Sequence, residues 1–379
     1  MIEIILLILF LILLFHYLKF LNSVRLGLDL LRTKANHRII EYPSVSIIIP
    51  FRNEEENIIK NITSLEEQDY PRNKYEVIYV DDDSTDQSFE LLQRKVTSLN
   101  RQILKMPEGF SPNSRKKRAI RYGIEHSEGE IIVGSDADCE YNKNWLTTVI
   151  SAYEKKTGFV SAPVRFNSSD KFFDRIQQLE FGGLVLTGAG LIGSGTPIIC
   201  NAANISYRRE VFNQVLGFTD NIDLSSGDDE FLMQKIFKET EWRVNFCLSE
   251  AAVVRTNPNK TVSQFYQQRK RWASKGFFYK NPLLILKLIG IFFFYLCLIV
   301  QLVLGAFYNS IFFISFLSSM IAKMYFEFNI LRHGSGLVFD KIKLTDFLIA
   351  EIIHPFYILI AGLSGVNGNF IWKDRKLKR

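Results

Sequence analysis

Residues Tyr75–Asp86 read YEVIYVDDDSTD, and the fold turns on this stretch. Its first six residues form the largely β-branched and aromatic run of a buried strand. Asp81, Asp82 and Asp83 follow at once. Adjacent carboxylates at the end of a buried strand repel one another, so stability alone gives little reason for them. A polar turn, with Ser84 or Asp86 capping the next helix, is the plain alternative. Upstream, Val45–Ile49 (VSIII) is a second short strand, ended by Pro50. Asn53–Glu67 then sets Ile58, Ile59, Ile62 and Leu65 at helical spacing, with acids in its first turn. Downstream come a helix over Ser88–Ser98, a strand over Gln102–Met106, a helix over Arg115–Glu125 and a strand over Glu130–Gly134. This alternation, continuing to about Arg255, predicts an α/β domain with a mostly parallel sheet. Ligands of such sheets gather beyond the carboxyl ends of the strands.

A second acidic group, Ser135-Asp136-Ala137-Asp138, stands at another strand end. Two carboxylates at i and i+2 can share one site if the chain bends, and oxygen pairs of this kind suit Mg²⁺ or Mn²⁺. A lone DxD is weak evidence; two acidic strand ends in one domain are stronger. Gly227-Asp228-Asp229-Glu230 precedes an apolar helical stretch, Phe231–Phe237, where helix capping explains at least one acid. Gln268-Arg269-Lys270-Arg271-Trp272 lies in an amphipathic stretch before a long apolar block. Its basic residues read either as anchors at a membrane surface or as counter-charges to a phosphate group.

The apolar residues are unevenly spread. The chain has 379 residues, 47% of them hydrophobic, with 32 phenylalanines and a formal charge of +6. Ile2–Leu21 is an apolar run with Glu3 before it and Lys19, Arg25, Arg32, Lys34 and Arg38 near or beyond its end. It lacks the basic start and small-residue cleavage site of a signal peptide, so it reads as a retained anchor. The charge asymmetry puts the following domain in the cytoplasm. Leu283–Phe307 and Ile311–Phe328, joined at Asn309-Ser310, read as a helical hairpin. Leu344–Val366 contains Glu351, His354 and Pro355, and a crossing there would put the basic tail Lys373–Arg379 outside, against the charge rule. A re-entrant or interfacial segment, its polar residues facing the mouth of the site, is the alternative. Anionic lipid explains the basic excess more simply than nucleic acid, which is not an expected partner. Cys139, Cys200, Cys247 and Cys297 show no CxxC pairing, and the five histidines no zinc spacing.

Taken in order, VSIIIPFRNEEENI (45–58), VDDDSTD (80–86), RKKRAIRYGIEHSEGEIIVGSDAD (115–138), NAANISYRREVF (201–212), GDDEFL (227–232) and QQRKRW (267–272) resemble the membrane-bound family-2 inverting glycosyltransferases of GT-A fold. That group includes cellulose, hyaluronan and poly-N-acetylglucosamine synthases and ceramide glucosyltransferase. The resemblance spans about Val45–Gly276. It implies that Pro50, Arg52 and Glu54 belong to the nucleotide-side loop, and that Asp82, with Asp81 or Asp83, contacts the base and ribose of a UDP-type donor. Lys116 matches a lysine near the diphosphate, although Arg115 replaces the usual preceding glycine. Asp136 and Asp138 match the DxD, Asp138 being the expected direct metal ligand, and Asp229 matches the catalytic base. Asp228 stands where glutamate is more usual, and Gln268, Arg271 and Trp272 match QxxRW, the Trp offering a face to an acceptor sugar.

These assignments imply a single displacement with inversion. The expected partners are a UDP-hexose or UDP-N-acetylhexosamine donor, a lipid or short-glycan acceptor, and the bilayer, at the cytoplasmic face of a bacterial inner membrane. A processive polysaccharide synthase is the competing enzyme. A sugar-nucleotide-binding protein without catalysis, and a metal-dependent phosphatase or nucleotidyltransferase, are the alternatives of other classes. The expected organisation is an anchor and basic linker over 1–43, the GT-A domain over 44–260, an interfacial helix with QxxRW over 261–280, and a membrane region of two or three helices over 281–379. Gly182–Gly195 reads as a flexible or membrane-proximal acceptor loop.

Overall fold

The structure is a computed structural model that describes residues 1–379 except 34–40, 96–99, 108, 110–114, 225–226, 367–368, 373–374 and 379. A long helix, α1 (Ile2–Thr33), opens the chain. The strands and helices β1 (Val45–Phe51), α2 (Ile58–Glu66), β2 (Tyr75–Asp81), α3 (Ser88–Lys95), β3 (Arg101–Lys105), α4 (Arg115–Glu125) and β4 (Ile131–Gly134) then alternate as expected. β5 (Glu140–Tyr141), α5 (Trp145–Ser151), β6 (Thr157–Ser161), β7 (Val164–Phe166), α6 (Phe172–Gly193), β8 (Ile205–Arg208), α7 (Arg209–Gln214), α8 (Glu230–Glu239), β9 (Arg243–Phe246) and β10 (Val254–Thr256) complete the domain. α9 (Val262–Ser274), α10 (Pro282–Phe307), α11 (Ser310–Leu331) and α12 (Leu344–Val366) follow, then a short hairpin, β11 (Asn369–Trp372) and β12 (Arg375–Lys378).

Seven strands form the main sheet in the order β3-β2-β1-β4-β8-β6-β9. β8 runs antiparallel to both β4 and β6, and the remaining neighbours are parallel. β5-β10-β7 make a small second sheet. Alternate residues of β1 face different cores. Ile47 and Ile49 pack with Ile58, Ile62 and Leu65 of α2. Ile48 joins Ile78, Val80 and Ile132 against Ala119, Ile120 and Ile124 of α4. This second core continues into Val24 and Leu28 of α1, Leu298 of α10 and Met320 of α11, so the domain and the long apolar helices share one packed interior.

Three readings need correction. β1 runs through Pro50 to Phe51, because Pro50 lies past the last β1–β4 pair and its missing N–H breaks no ladder there. α2 begins at Ile58, not Asn53: Asn53 takes a positive φ of 50°, and Glu54–Asn57 form a turn. Its acids therefore belong to the loop above the sheet. Gly182–Gly195 is largely helical as well, the second half of α6. The glycines serve close approach. A Cβ at Gly27 of α1 would lie 1.8 Å from Gly190 O, and one at Gly193 would lie 2.2 Å from Gly27 O. Two backbones this near exclude any side chain between them.

α1, α10, α11 and α12 are each long and apolar enough to cross a membrane. Ile4, Ile8, Phe15, Leu286, Phe293 and Ile314 are among the many apolar side chains they expose, as lipid contact requires. Gly27→Ala should lower stability by about 1–3 kcal/mol, since neither backbone can yield. Gly183→Ala, whose Cβ meets only Leu331 at 3.8 Å, should be neutral or stabilising. Thermal unfolding in detergent checks this pair, and equal behaviour of the two variants rules out the close helix contact.

Candidate active site

β1, β2 and β4 end on one edge, and the pairings Phe51–Asp81 and Ile48–Gly134 bring their loops side by side. Positive φ at Asn53 and Asp83 turns the first two loops toward each other. They are stitched by Asn53 N donating to Ser84 Oγ (3.2 Å), Thr85 N to Asn53 Oδ1 (2.9 Å) and Glu54 N to Ser88 Oγ (2.7 Å). The three aspartates thereby part ways. Asp81 turns back to accept from Ser84 N at 3.0 Å. Asp83 points to solvent near Arg52 and Arg115. Asp82 stays buried and pairs with Arg115 at 3.2 Å.

The bend after β4 has a buried cause. Asn61 of α2, held through its Oδ1 by Tyr79, donates to the carbonyls of Asp136 (3.2 Å) and Cys139 (2.8 Å). This fixes the backbone so that Asp136 and Asp138 both look outward from the strand end. Asp138 Oδ2 accepts from Thr256 of β10 at 3.0 Å. Asp136 Oδ1 meets Lys116 Nζ at 2.8 Å, and the same ammonium lies 3.3 Å from Asp228 Oδ2. Asp229 caps α8: its Oδ1 accepts from Glu230 N (2.7 Å) and its Oδ2 from Ala202 N (3.1 Å). Lys275 reaches Asp229 at 3.6 Å and Glu230 at 3.0 Å, and Tyr279 donates to Glu230 at 2.9 Å.

Acids and bases thus interleave in a hollow where Lys117, Asp228, Asp229 and Glu230 are buried, and their ionisation shifts follow. Burial pushes the Lys116 ammonium down, but Asp136 and Asp228 outweigh it and hold it above its ordinary range. Burial pushes Asp228 up, and Lys116 and Lys117 bring it below the usual value. Lys117, opposed only in part by Asp228 and Asp229, falls to about 8 through burial. Burial raises Glu230, with Asp229 adding to the shift and Lys275 opposing it. Burial lowers Arg271, against Asp228, Asp229 and Asp136.

Two cavities meet here. The smaller, about 160 Å³, is lined by Pro50, Arg52, Glu54 and Asp82. The larger, about 270 Å³, is lined by Asp228, Asp229, Glu230, Trp272, Lys275 and Tyr279, with an apolar wall that includes Phe181, Leu184, Val185 and Ile199. Lys116, Asp136, Asp138, Gln268 and Arg271 line both. Of the residues singled out in the sequence, Asp81 and Asp83 line neither cavity; the others do. The donor set suits a hard divalent cation: Asp136 and Asp138 offer only oxygens, and the buried Asp228 Oδ2 accepts no hydrogen bond among the described residues.

Lys275, Tyr279 and Thr256 went unread in the sequence, and so did Glu180 and the role of Arg269; Glu230 was read only as one of an acidic group at a helix start. Arg269 is 3% exposed and engages Glu180 of α6 through both Nε and a terminal nitrogen. Its other terminal nitrogen donates to Gln268 Oε1 at 2.6 Å, which also accepts from Asn259 at 3.0 Å. The amide nitrogen of Gln268 therefore remains to face the cavities. The Arg269 guanidinium covers one face of Trp272, 4.1 Å from the ring centre. The only signal for this brace was a second arginine between Gln268 and Arg271, at a spacing that membrane anchoring explained equally well.

Residues 46–216 match the family described as glycosyl transferase family 2. The glycosyltransferase AglE of Haloferax volcanii is 38% identical over 110 residues, covering 29% of this chain and 35% of that protein. A β-monoglucosyldiacylglycerol synthase of Synechocystis is 26% identical over 250 residues, covering 63% of this chain and 49% of that protein. The chain thus spans about a third to a half of these relatives' length. Among solved structures, the mannosyltransferase PcManGT of Pyrobaculum calidifontis, in complex with GDP-Man and Mn²⁺, aligns with a TM-score of 0.61 at 18% identity. The alignment covers 95% of this chain and 99% of that one, and it establishes the GT-A fold.

Lys275→Met would strand two carboxylates in a buried hollow, and should cost about 3–5 kcal/mol of stability. Adding Glu230→Gln should restore part of it, since the neutral amide keeps the Tyr279 contact without the charge. Thermal unfolding of the single and double variants measures this. A double variant no more stable than the single one would show that charge compensation is not what Lys275 provides.

Proposed function

We propose that this chain, whose residues 46–216 form a family 2 glycosyltransferase domain, moves a sugar from a nucleoside-diphosphate donor to a lipid acceptor by one inverting displacement. The observation that carries this reading is the meeting of two cavities at Lys116, Asp136, Asp138, Gln268 and Arg271, with Asp229 on the wall of one. The smaller cavity takes the nucleotide: Arg52, Glu54 and the buried Asp82 offer polar contacts to base and ribose. The diphosphate lies at the junction. The acceptor enters the larger cavity, and its hydroxyl oxygen attacks the anomeric carbon while Asp229 takes the proton. The N–H donors of Glu230 and Ala202 hold the orientation of that carboxylate. The sugar–phosphate bond breaks as the new bond forms, and Arg271 and Lys116 meet the charge left on the nucleoside diphosphate. Asp138 and Asp136 would hold Mg²⁺ or Mn²⁺, which neutralises diphosphate oxygens when bound. Lys116, paired with Asp136 and Asp228, stands at the same junction within reach of a phosphate.

The apolar wall of Phe181, Leu184, Val185 and Ile199 favours an acceptor with a hydrocarbon part. Leu184 and Val185 sit on α6, the helix packed against α1, so this wall leads toward the apolar helices. A polysaccharide synthase would need a bore for its product. Phe10, Tyr17, Phe294, Leu298 and Phe312 are instead buried among α1, α10 and α11. UDP is the expected nucleotide, and the cytoplasmic face of a bacterial inner membrane the expected setting, because the basic residues lie at the domain end of α1.

Asp229→Asn should lower transfer by about 10²–10⁴-fold while nucleotide-sugar affinity changes little. Loss of donor binding in that variant would move Asp229 out of the base role. Chelation should abolish transfer, and Mn²⁺ or Mg²⁺ should restore it; transfer persisting in chelator would remove the metal from the scheme. Labelled UDP- and GDP-linked sugars incubated with the purified chain and native lipid should give label that partitions into organic solvent. Long polymer from donor alone would replace the lipid acceptor with a growing glycan.

A further inference from the structure

α12 has the length and apolarity of a membrane crossing, yet its contacts run the wrong way for one. A helix of this size is about 35 Å long at about 1.5 Å per residue. Near its start, Asp346 forms an ion pair with Arg175 of α6 at 2.7 Å. At its middle, Tyr357 donates to Glu180 of α6 at 2.9 Å, and its ring lies 5.6 Å from that of Phe265 on α9. At its end, Tyr266 of α9 donates to Ser364 at 2.8 Å, and a Cβ on Gly365 would lie 3.0 Å from the backbone of Ala273. Beyond it, β11 runs beside α9. Start, middle and end therefore all rest on α6 and α9, elements of the domain that carries the site. A helix leaving that domain to cross a bilayer touches it at one end only.

Its partners among the other apolar helices agree. Phe347 packs on Phe328 of α11, His354 on Tyr295 of α10, and Gly362 on Phe292 of α10. Phe292, Tyr295 and Phe328 lie about 18–27 Å along their helices from the Asn309 turn, at about 1.5 Å per residue. That places Phe292 and Phe328 in the domain-side part of the bundle and Tyr295 at the middle of α10, within a hydrocarbon core of about 30 Å. The contact at Gly362, late in α12, is no nearer the turn than the contact at His354. The outward face presents Ile349, Ile352, Ile353, Phe356, Ile360 and Leu363 at helical spacing, all exposed. Glu351 faces the other way, into the bundle at Lys323, while Asp346 and Tyr357 lie on the flank turned to α6.

We propose that α12 does not cross the membrane but lies along its surface on the side of the catalytic domain, with its Ile/Phe/Leu stripe in the acyl chains of that leaflet. Three helices then cross, α1, α10 and α11. The basic segment after Val366 stays beside the domain, in keeping with the charge rule that a fourth crossing would break. The helix also has a use there: Tyr357 supports Glu180, which holds Arg269 and through it Gln268 and Trp272. Lipid contact along α12 thereby reaches the junction of the two cavities.

The proposal rests on reading α1, α10 and α11 as crossings; its topology test is independent of the reaction, and only the variant below rests on the proposed transfer. The test places protease-cleavable tags before Met1 and after Arg379 of the full chain in sealed vesicles. Three crossings put the two tags on opposite faces, whatever the orientation; both tags on one face overturns the proposal. Extraction with alkaline carbonate separates the layers of the reading: release of the chain from the vesicles would remove the crossings and the proposal with them. A second variant, Ile352→Lys/Phe356→Lys, should keep the tag arrangement but weaken recovery of transfer on reconstitution into lipid by about tenfold or more, as two cations enter the apolar layer. Activity that recovers as fully as for the unaltered chain would show that the stripe does not meet lipid.

Discussion

Mutual repulsion among carboxylates is the constraint that organises this molecule. Asp136, Asp138, Asp228, Asp229 and Glu230 line one hollow, and burial makes each uncompensated charge expensive. The chain answers by interleaving four cations from two places: Lys116 and Lys117 at the start of α4, and Arg271 on α9 with Lys275 just beyond. Each cation ties together elements distant in sequence. Lys116 links the end of β4 to the segment before α8, and Lys275 links α8 to the base of α9. In the proposed reaction the same arrangement would receive a diphosphate. Under that proposal an incoming anion would compete with Asp136 and Asp228 for Lys116. The site is neutral enough to fold and divided enough to exchange partners.

A second charge cluster obeys the same rule in a harsher medium. Lys323 is fully buried among the apolar helices, paired with Glu351 of α12 and with Glu327 at 3.0 Å. Tyr17 donates to Glu327 at 2.6 Å, and Tyr295 and His354 complete the group. Glu327, Glu351 and His354 lie close enough to ligate a cation, but the lysine ammonium already occupies that place. Charges buried this way are costly unless every partner is present, so the cluster fixes how α1, α10, α11 and α12 associate. Glycine contacts do the corresponding work between α1 and α6, where the backbones touch and no side chain can intervene.

Much of the domain was legible because its signals are local. The apolar runs of β1, β2 and β4 and the acids just past them follow from strand burial, and α4 was bounded by its own spacing over Arg115–Glu125. What failed was what depends on distant partners. Gly182–Gly195 carries the composition of a loop, and only the surface of α1 makes those glycines helical. Asn53 looked like a helix start, but its side chain answers to Thr85 on the neighbouring loop. Asp81 and Asp82 are adjacent in sequence, yet a turn sends one to cap its own loop and the other to the cavity. Glu180 lies in an apolar stretch and has no visible purpose until Arg269 and Tyr357 are placed beside it.

α9 is where these separate solutions join. One side of it supplies Gln268 and Arg271 to the junction of the cavities, and Trp272 to the wall of the larger one. Another side sends Arg269 to Glu180 of α6, which packs on α1. A third meets α12 through Tyr266 and Ala273. A helix held on three sides has little freedom to tilt, and small displacements at such a junction are amplified at the reacting atoms. The short α9 therefore sets the depth of the site relative to the apolar helices. In the proposed transfer, a hydroxyl presented at that depth, with its hydrocarbon against Leu184 and Val185, would reach Asp229 without leaving the apolar wall.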